Sequence, residues 1–228
     1  MPFRPAEPVN EISSDIFKYT PPKTMIKNIL FDWSGTLVDN LTTIHKATMH
    51  VFEKLGVKPM SFEEYREKFS LPYMNFWKLH FPDCTEEQIS NLFREGLEMA
   101  GNAGLYSGAK DVLKRLYDRG IKMAVMSSGS QEKIIADARR YGVFDYFQEI
   151  NGNILDKTEV ITEILQKNNF KPEETMYVGD MVHDIEAGKK AGVISVGISW
   201  GHKSEETLKA ANPDHLISNI IELEQLLG

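Results

Sequence analysis

Asp32, Ser127, Lys157, Asp180 and Asp184 are the residues of this 228-residue chain whose types and settings suit work on an oxyanion. Asp32 closes the apolar run Ile29-Leu30-Phe31, and the small loop Ser34-Gly35-Thr36 follows almost at once. A short apolar run cut off by a glycine turn reads as a buried parallel strand. Open α/β sheets place their ligands at the ends of such strands. A carboxylate there sits beside backbone amides able to meet an anion. Ser127 follows a second apolar run, Lys157 opens a helical pattern, and Asp180 and Asp184 lie in Gly179-Asp180-Met181-Val182-His183-Asp184 after a third run.

Singly, each of these residues also has a plain structural reading. Asp32 could be a loop carboxylate, Ser127 a helix cap, Lys157 a solvated lysine at a helix start, and Asp180 and Asp184 turn and cap residues. Short motifs match by chance; their joint occurrence at successive strand ends argues for a site. His183 reads as an exposed neighbour rather than a ligand. Cys84 has no basic partner in view and reads as inert.

The elements that must position these residues follow from periodicity. Residues 26–32 read as the first strand. Ile44, Ala47, Val51 and Leu55 recur at helical spacing, Ser61 and Thr85 each begin a capping pattern, and Pro72 interrupts between them. The segment 40–104 therefore reads as an all-helical insertion. Strand–helix alternation resumes after Gly108: strand 123–126, helix 131–141, a short strand or loop at 144–150, helix 157–169, strand 174–178, helix 185–191, strand 193–198, strand 214–217 and helix 219–227. Alternation of this kind implies right-handed crossovers and a parallel sheet with helices on both faces. The expected fold is a doubly wound, Rossmann-like α/β core, residues 25–39 and 105–228, with a helical cap, 40–104, and an N-terminal extension, 1–24. The extension holds Pro2, Pro5, Pro8, Pro21 and Pro22 and reads as a mobile arm or packed extension. Hinges for the cap are expected near Asp39-Asn40 and Ala103-Gly104.

The stretch Asp32-Trp33-Ser34-Gly35-Thr36-Leu37-Val38-Asp39 resembles the opening DxxGTxxD signature of the haloacid dehalogenase-like superfamily, which is mostly phosphatases. Ser127, Lys157 and the Gly179–Asp184 segment match the later motifs of that superfamily in order. The close, Val196-Gly197-Ile198-Ser199-Trp200-Gly201 and Asn212-Pro213-Asp214-His215-Leu216-Ile217, is similar to the tail of phosphoglycolate-phosphatase-like members. The resemblance implies an α/β core with a cap and hydrolysis of a small phosphorylated metabolite. Asp32 would form an aspartyl-phosphate. Ser127 would bond a phosphate oxygen, and Lys157 would neutralise charge on phosphate and Asp32. Mg²⁺ would be held by Asp32, Asp180 and the backbone carbonyl of Ser34, with Asp184 at its edge. Amides around Gly35, Thr36, Ser128 and Gly129 would complete the cradle.

Ser34 stands where the common phosphatase pattern, DxDGT, has a second Asp. In the family that Asp protonates the leaving oxygen and then activates water, a contribution of about 10²–10⁴-fold for a positioned acid–base group. A serine hydroxyl does not exchange protons this way near neutral pH without help. Two alternatives follow. Asp32-Trp33-Ser34-Gly35-Thr36 also resembles the DWAGT opening of phosphonoacetaldehyde hydrolases, which cleave a C–P bond with a cap lysine as Schiff base; Lys54, Lys58, Lys68 and Lys78 are the candidates here. The other is a catalytically weak phosphate-binding or regulatory module. The intact GDxxxD segment argues for a metal and so against metal-free dehalogenation of 2-haloacids. In the cap, Phe69, Tyr73, Phe76, Trp77, His80 and Phe81 read either as a small core or, over residues 70–75, as a turn reaching toward Asp32 to select the leaving group.

Composition bounds the rest. Apolar content of 42% and charged content of 26% are those of a globular protein. A net charge of −7 with no basic stripe argues against nucleic-acid binding. It leaves a phosphorylated small molecule open, because a bound metal reverses the field locally. With Cys84 as the single cysteine no internal disulfide forms. No signal-type apolar core occurs in residues 1–24, and no run approaches the roughly 18 apolar residues of a membrane helix. A cytoplasmic enzyme without membrane contact is the expectation; the oligomeric state is not legible.

Overall fold

Three consecutive apolar residues, Ile29 to Phe31, make a strand that must be covered on both faces. In the computed structural model, which describes residues 25–154 and 156–228, they lie in β1 (Asn28–Phe31), every residue of it buried. Next come β2 (Val38–Asp39) and the helices α1 (Leu41–Lys54), α2 (Phe62–Lys68), α3 (Tyr73–His80) and α4 (Glu86–Ala100). The chain then runs through β3 (Gly104–Leu105), α5 (Ala109–Asp118), β4 (Lys122–Met126), α6 (Gln131–Tyr141) and β5 (Glu149–Asn151). It continues with α7 (Lys157–Asn168), β6 (Thr175–Gly179), α8 (Val182–Lys190), β7 (Ile194–Ile198), α9 (Glu205–Ala210) and β8 (His215–Ile217). The extension 1–24 falls outside the described residues.

Six parallel strands form one sheet in the order β5-β4-β1-β6-β7-β8. β1 is central, with Ile29 level with Met123 of β4 on one side and Met176 of β6 on the other. Alternation along β1 sends Ile29 and Phe31 to one face, with Val112, Leu113 and Leu116 of α5, and Leu30 to the other, with Ile161 and Leu165 of α7 and Ala187 of α8. Burial on both faces holds all central strands in one register, since a one-residue slip would exchange their faces. The strands therefore end together, and the residues just past β1, β4 and β6 share one rim.

The helical segment α1–α4 has a third apolar cluster, including Phe52, Tyr65, Phe76, Trp77 and Ile89. At its base β2 and β3 pair antiparallel, Val38 with Leu105. Thr85 makes the full capping box with Gln88, whereas Ser61 accepts from the Glu64 amide and the Glu64 side chain turns to Lys68. Elsewhere the expected boundaries shift by a few residues. The helix expected from 185 begins at Val182, so Asp184 sits in its first turn. The C-terminal helix is a 3₁₀ helix, Ile220–Leu226, and 144–150 divides into a 3₁₀ turn and β5. The β2–β3 pair and α9 had no sequence signal strong enough to read. No helix among the described residues is long and apolar enough to cross a membrane.

Candidate active site at the carboxyl rim of the sheet

Asp32, Lys157, Asp180 and Asp184 meet at that rim. Asp32 follows β1, Asp180 follows β6, Asp184 lies on the first turn of α8, and Lys157 opens α7. All four are at most 5% exposed. Lys157 Nζ donates to Asp32 Oδ1 at 2.8 Å and to Asp184 Oδ1 at 2.6 Å. One oxygen from each of Asp32, Asp180 and Asp184 lies within 4.8 Å of the others.

The surroundings fix each carboxylate separately. Tyr177 donates from its hydroxyl to Asp184 Oδ1 at 2.8 Å, and the Met181 amide donates to Asp184 Oδ2 at 3.0 Å. The His202 amide donates to Asp180 Oδ2 at 2.6 Å. Gly35 and Gly201 pack against Asp180, where a Cβ would come within 2.3 and 2.2 Å of its side chain. Gly35 also has a φ of +78°, a conformation that favours glycine. The Thr36 hydroxyl stands 3.5 Å from Asp32 Oδ2, at the outer limit of a hydrogen bond.

Burial pushes the Asp32 carboxyl up to about 6, although Lys157 pulls it back. Asp180 is raised well above the usual carboxylate range, first by burial and then by the charges of Asp32 and Asp184. Burial works against the Lys157 charge, but Asp184 and Asp32 outweigh it and hold the ammonium well above its ordinary value. Three acids share one lysine, so the ionised cluster lacks positive charge. A divalent cation fits that deficit and the all-oxygen donor set.

Ser127 is buried directly after β4. Its Oγ accepts from the Gly129 amide at 3.2 Å, which leaves its proton free to be donated. The Gly35 amide is engaged with Val38 O at 2.9 Å and Asn40 Oδ1 at 3.2 Å. Ser128 lines a cavity of about 10 Å³ with Lys157, His183, Ile154 and Leu71-Pro72-Tyr73 from the helical segment. The aromatic stretch thus divides: Phe76, Trp77 and Phe81 belong to the third cluster, whereas the turn before them reaches the cavity beside Lys157. His183 is half-buried there and is not part of the carboxylate cluster.

Asn40 donates from Nδ2 to Ser34 Oγ at 3.1 Å. The Ser34 oxygen therefore has a donor, and its own proton is free. Lys54, Lys58, Lys68 and Lys78 are all exposed, with Lys68 paired to Glu64 and Lys54 near Glu95. None is a desolvated amine of the kind Schiff-base chemistry at neutral pH requires.

The loop after β7 joins the rim to α2. Arg66 of α2 donates to the carbonyls of His202 at 2.6 Å and Gly201 at 2.8 Å. Lys203 answers by donating to Arg66 O and Phe69 O at 2.7 Å each and to Glu67 O at 3.2 Å. A cation on the last carbonyls of a helix satisfies both their lone pairs and the helix dipole. Arg66 and the 201–203 loop are about 135 positions apart, and nothing in the sequence links them. Tyr177 and Asn40 were missed for a related reason: each is ordinary in its own segment, and only the fold brings it to Asp184 or Ser34.

The model of the haloacid dehalogenase-like hydrolases matches residues 29–198. The chain is 27% identical over 207 residues to the phosphoglycolate phosphatase of Synechococcus elongatus, covering 86% of this chain and 95% of that protein. It is 27% identical over 210 residues to the pyrophosphatase PpaX of Oceanobacillus iheyensis, covering 89% and 97%. A solved haloacid dehalogenase-like hydrolase from Streptococcus pneumoniae superposes with a TM-score of 0.77 at 24% identity, covering 89% of this chain and 99% of that one.

Proposed function

The chain belongs to the haloacid dehalogenase-like hydrolase family, and on that premise we propose that it is an Mg²⁺-dependent phosphohydrolase of a small phosphorylated metabolite, with Asp32 as nucleophile. The observation that carries this reading is Lys157 bridging Asp32 at 2.8 Å and Asp184 at 2.6 Å, with Asp180 beside them. That the similar proteins include a phosphoglycolate phosphatase and a pyrophosphatase supports a phosphate-transfer site whose leaving group varies.

An Asp32 oxygen would attack phosphorus, forming an O–P bond as the ester P–O bond breaks and the leaving oxygen takes a proton from water, since Ser34 stands where the family's acid would supply it. Water would then attack the aspartyl-phosphate, releasing inorganic phosphate and restoring the Asp32 carboxylate. Asp32, Asp180 and the Ser34 carbonyl would hold the divalent ion, which when bound supplies positive charge between carboxylate and phosphate. Asp184, fixed by Tyr177 and the Met181 amide, would hold Lys157 in place. Ser127, with its proton free, would donate to a phosphate oxygen. The Gly35 and Gly129 amides are engaged within their own loops, which leaves those of Thr36 and Ser128 for the cradle. Residues 40–104 would act as a cap over this rim and exclude water when closed.

Ser34 favours a second reading, a phosphate-binding module of low turnover. One substitution separates the two. Ser34→Asp restores an acid–base group beside Asn40: a rise in kcat on alkyl phosphates of about 10²–10⁴-fold with Mg²⁺ present favours the low-turnover module that lacks only this group, whereas turnover already present in the parent and little changed favours the phosphohydrolase. If neither protein turns over any member of a broad phosphate panel, the hydrolytic reading fails.

A further inference from the structure

His183 takes no part in phosphoryl transfer by Asp32, Lys157 and Ser127, yet it stands among the groups that would hold the phosphate. It lies in the first turn of α8, next to Asp184, and is half-buried rather than exposed. It lines the same small cavity as Ser128 and Lys157, with Ile154 and the turn Leu71-Pro72-Tyr73 as the remaining walls. At about 10 Å³ this space takes one water-sized oxygen and little more.

The state of the ring narrows what it can do. Nδ1 is closed off from solvent and has no hydrogen-bond partner. A proton there would have no acceptor, so the neutral ring carries its proton on Nε2. Nε2 is therefore a donor, and it remains one when the ring is charged.

The phosphate cradle lacks donors on this side. A bound phosphoryl group brings non-bridging oxygens that need partners once water is excluded. The Gly35 and Gly129 amides are already engaged within their own loops. Lys157 Nζ spends two of its protons on Asp32 and Asp184. A further N–H in the cavity beside Ser128 and Lys157 meets that shortage.

We propose that His183 is a further phosphate-binding residue, whose Nε2 donates to a non-bridging oxygen of the phosphoryl group from the side of Ser128 and Lys157. This rests on the phosphohydrolase reading and adds a residue to its phosphate site. His183 makes and breaks no covalent bond and passes no proton to the substrate. It holds orthophosphate and the substrate's phosphoryl group alike.

The test measures two dissociation constants by calorimetry at pH 8 on the full chain: Mg²⁺ alone, and inorganic phosphate with Mg²⁺ saturating. Parent, His183→Phe and His183→Gln are compared. Phenylalanine keeps a ring in the cavity wall and lacks the donor, whereas the glutamine amide returns an N–H near the place of Nε2. Losing a hydrogen bond to a charged ligand is expected to weaken phosphate binding by about tenfold or more in His183→Phe. His183→Gln should recover to within about threefold of the parent, and Mg²⁺ affinity should stay within about threefold in both variants. A merely structural role would act through the adjacent Asp184 and show in the metal constant. Phosphate affinity unchanged in His183→Phe, no recovery in His183→Gln, or Mg²⁺ binding that weakens in step overturns the proposal. If the parent binds no phosphate with Mg²⁺ present, the phosphohydrolase reading fails instead. Should urea unfolding show that His183→Phe does not fold, His183→Ala takes its place with the same outcomes.

Discussion

Replacing Lys157 by Met keeps most of its length and removes the one cation that, among the described residues, pairs with this acidic cluster. Nζ makes bonds of 2.8 and 2.6 Å to two carboxylates that are 7% and 1% exposed, so solvent cannot take its place. Removing one partner of a buried ion pair typically costs about 3–5 kcal/mol. The acids have one escape: they can bind a proton. Asp32, already raised to about 6, moves further up without Lys157 and is neutralised at mildly acidic pH. The loss in metal-free protein is therefore expected to reach about 3–5 kcal/mol at pH 8 and to shrink toward pH 6. Urea unfolding in EDTA, followed through tryptophan fluorescence, measures it, since Trp33 is buried next to Asp32. Mg²⁺ should return more stability to Lys157→Met than to the parent, because in the parent the ammonium already meets part of the charge deficit. At 100-fold excess over its dissociation constant a ligand adds about 2.7 kcal/mol. A loss below 1 kcal/mol at pH 8 in EDTA, or one that does not shrink between pH 8 and pH 6, refutes the view that these carboxylates depend on a central cation.

Two further outcomes follow from the seam between α2 and the loop after β7. Arg66→Ala and Lys203→Met each remove hydrogen bonds from a charged group, worth about 1.5–3 kcal/mol apiece, and because the two share one seam their effects should be non-additive by more than about 0.5 kcal/mol in a double-mutant cycle; simple additivity in urea unfolding would show that the two ends act separately. His202 is neutral in the fold, with its pKa down at about 3, so the unfolded chain takes up the proton first as pH falls below the ordinary histidine value near 6.5, and stability drops. Between pH 7 and pH 5 this group should account for about 2 kcal/mol of that drop, and His202→Gln should lose correspondingly less over the same range; parallel pH profiles for parent and variant would exclude a neutral buried imidazole.

Much of the core could be read from the sequence because its signals are local. An apolar run closed by Asp32 and a glycine turn specifies a buried strand with an acid at its tip, and parallel register then brings every strand end to the same rim. The order of Asp32, Ser127, Lys157 and Asp180 along the chain follows from that alternation. Ser61 and Thr85 likewise marked their helix starts through bonds that span only three residues. Boundaries were less legible where burial competes with helix propensity, as at Val182, where the helix begins early and carries Asp184 into the cluster.

The sequence by itself placed the candidate residues at strand ends, because strand ends and their side chains are set by short-range pattern. Only the tertiary structure decided what surrounds them. It set Asn40 on Ser34, Tyr177 on Asp184, and the loop Gly201–Lys203 between Asp180 and α2. The loop's bonds to α2 join segments up to 137 residues apart, and such a bond leaves no periodic trace in either segment; Asn40 and Tyr177 lie only 6 and 7 residues from their partners, but the turns between them, which periodicity does not report, make the contact.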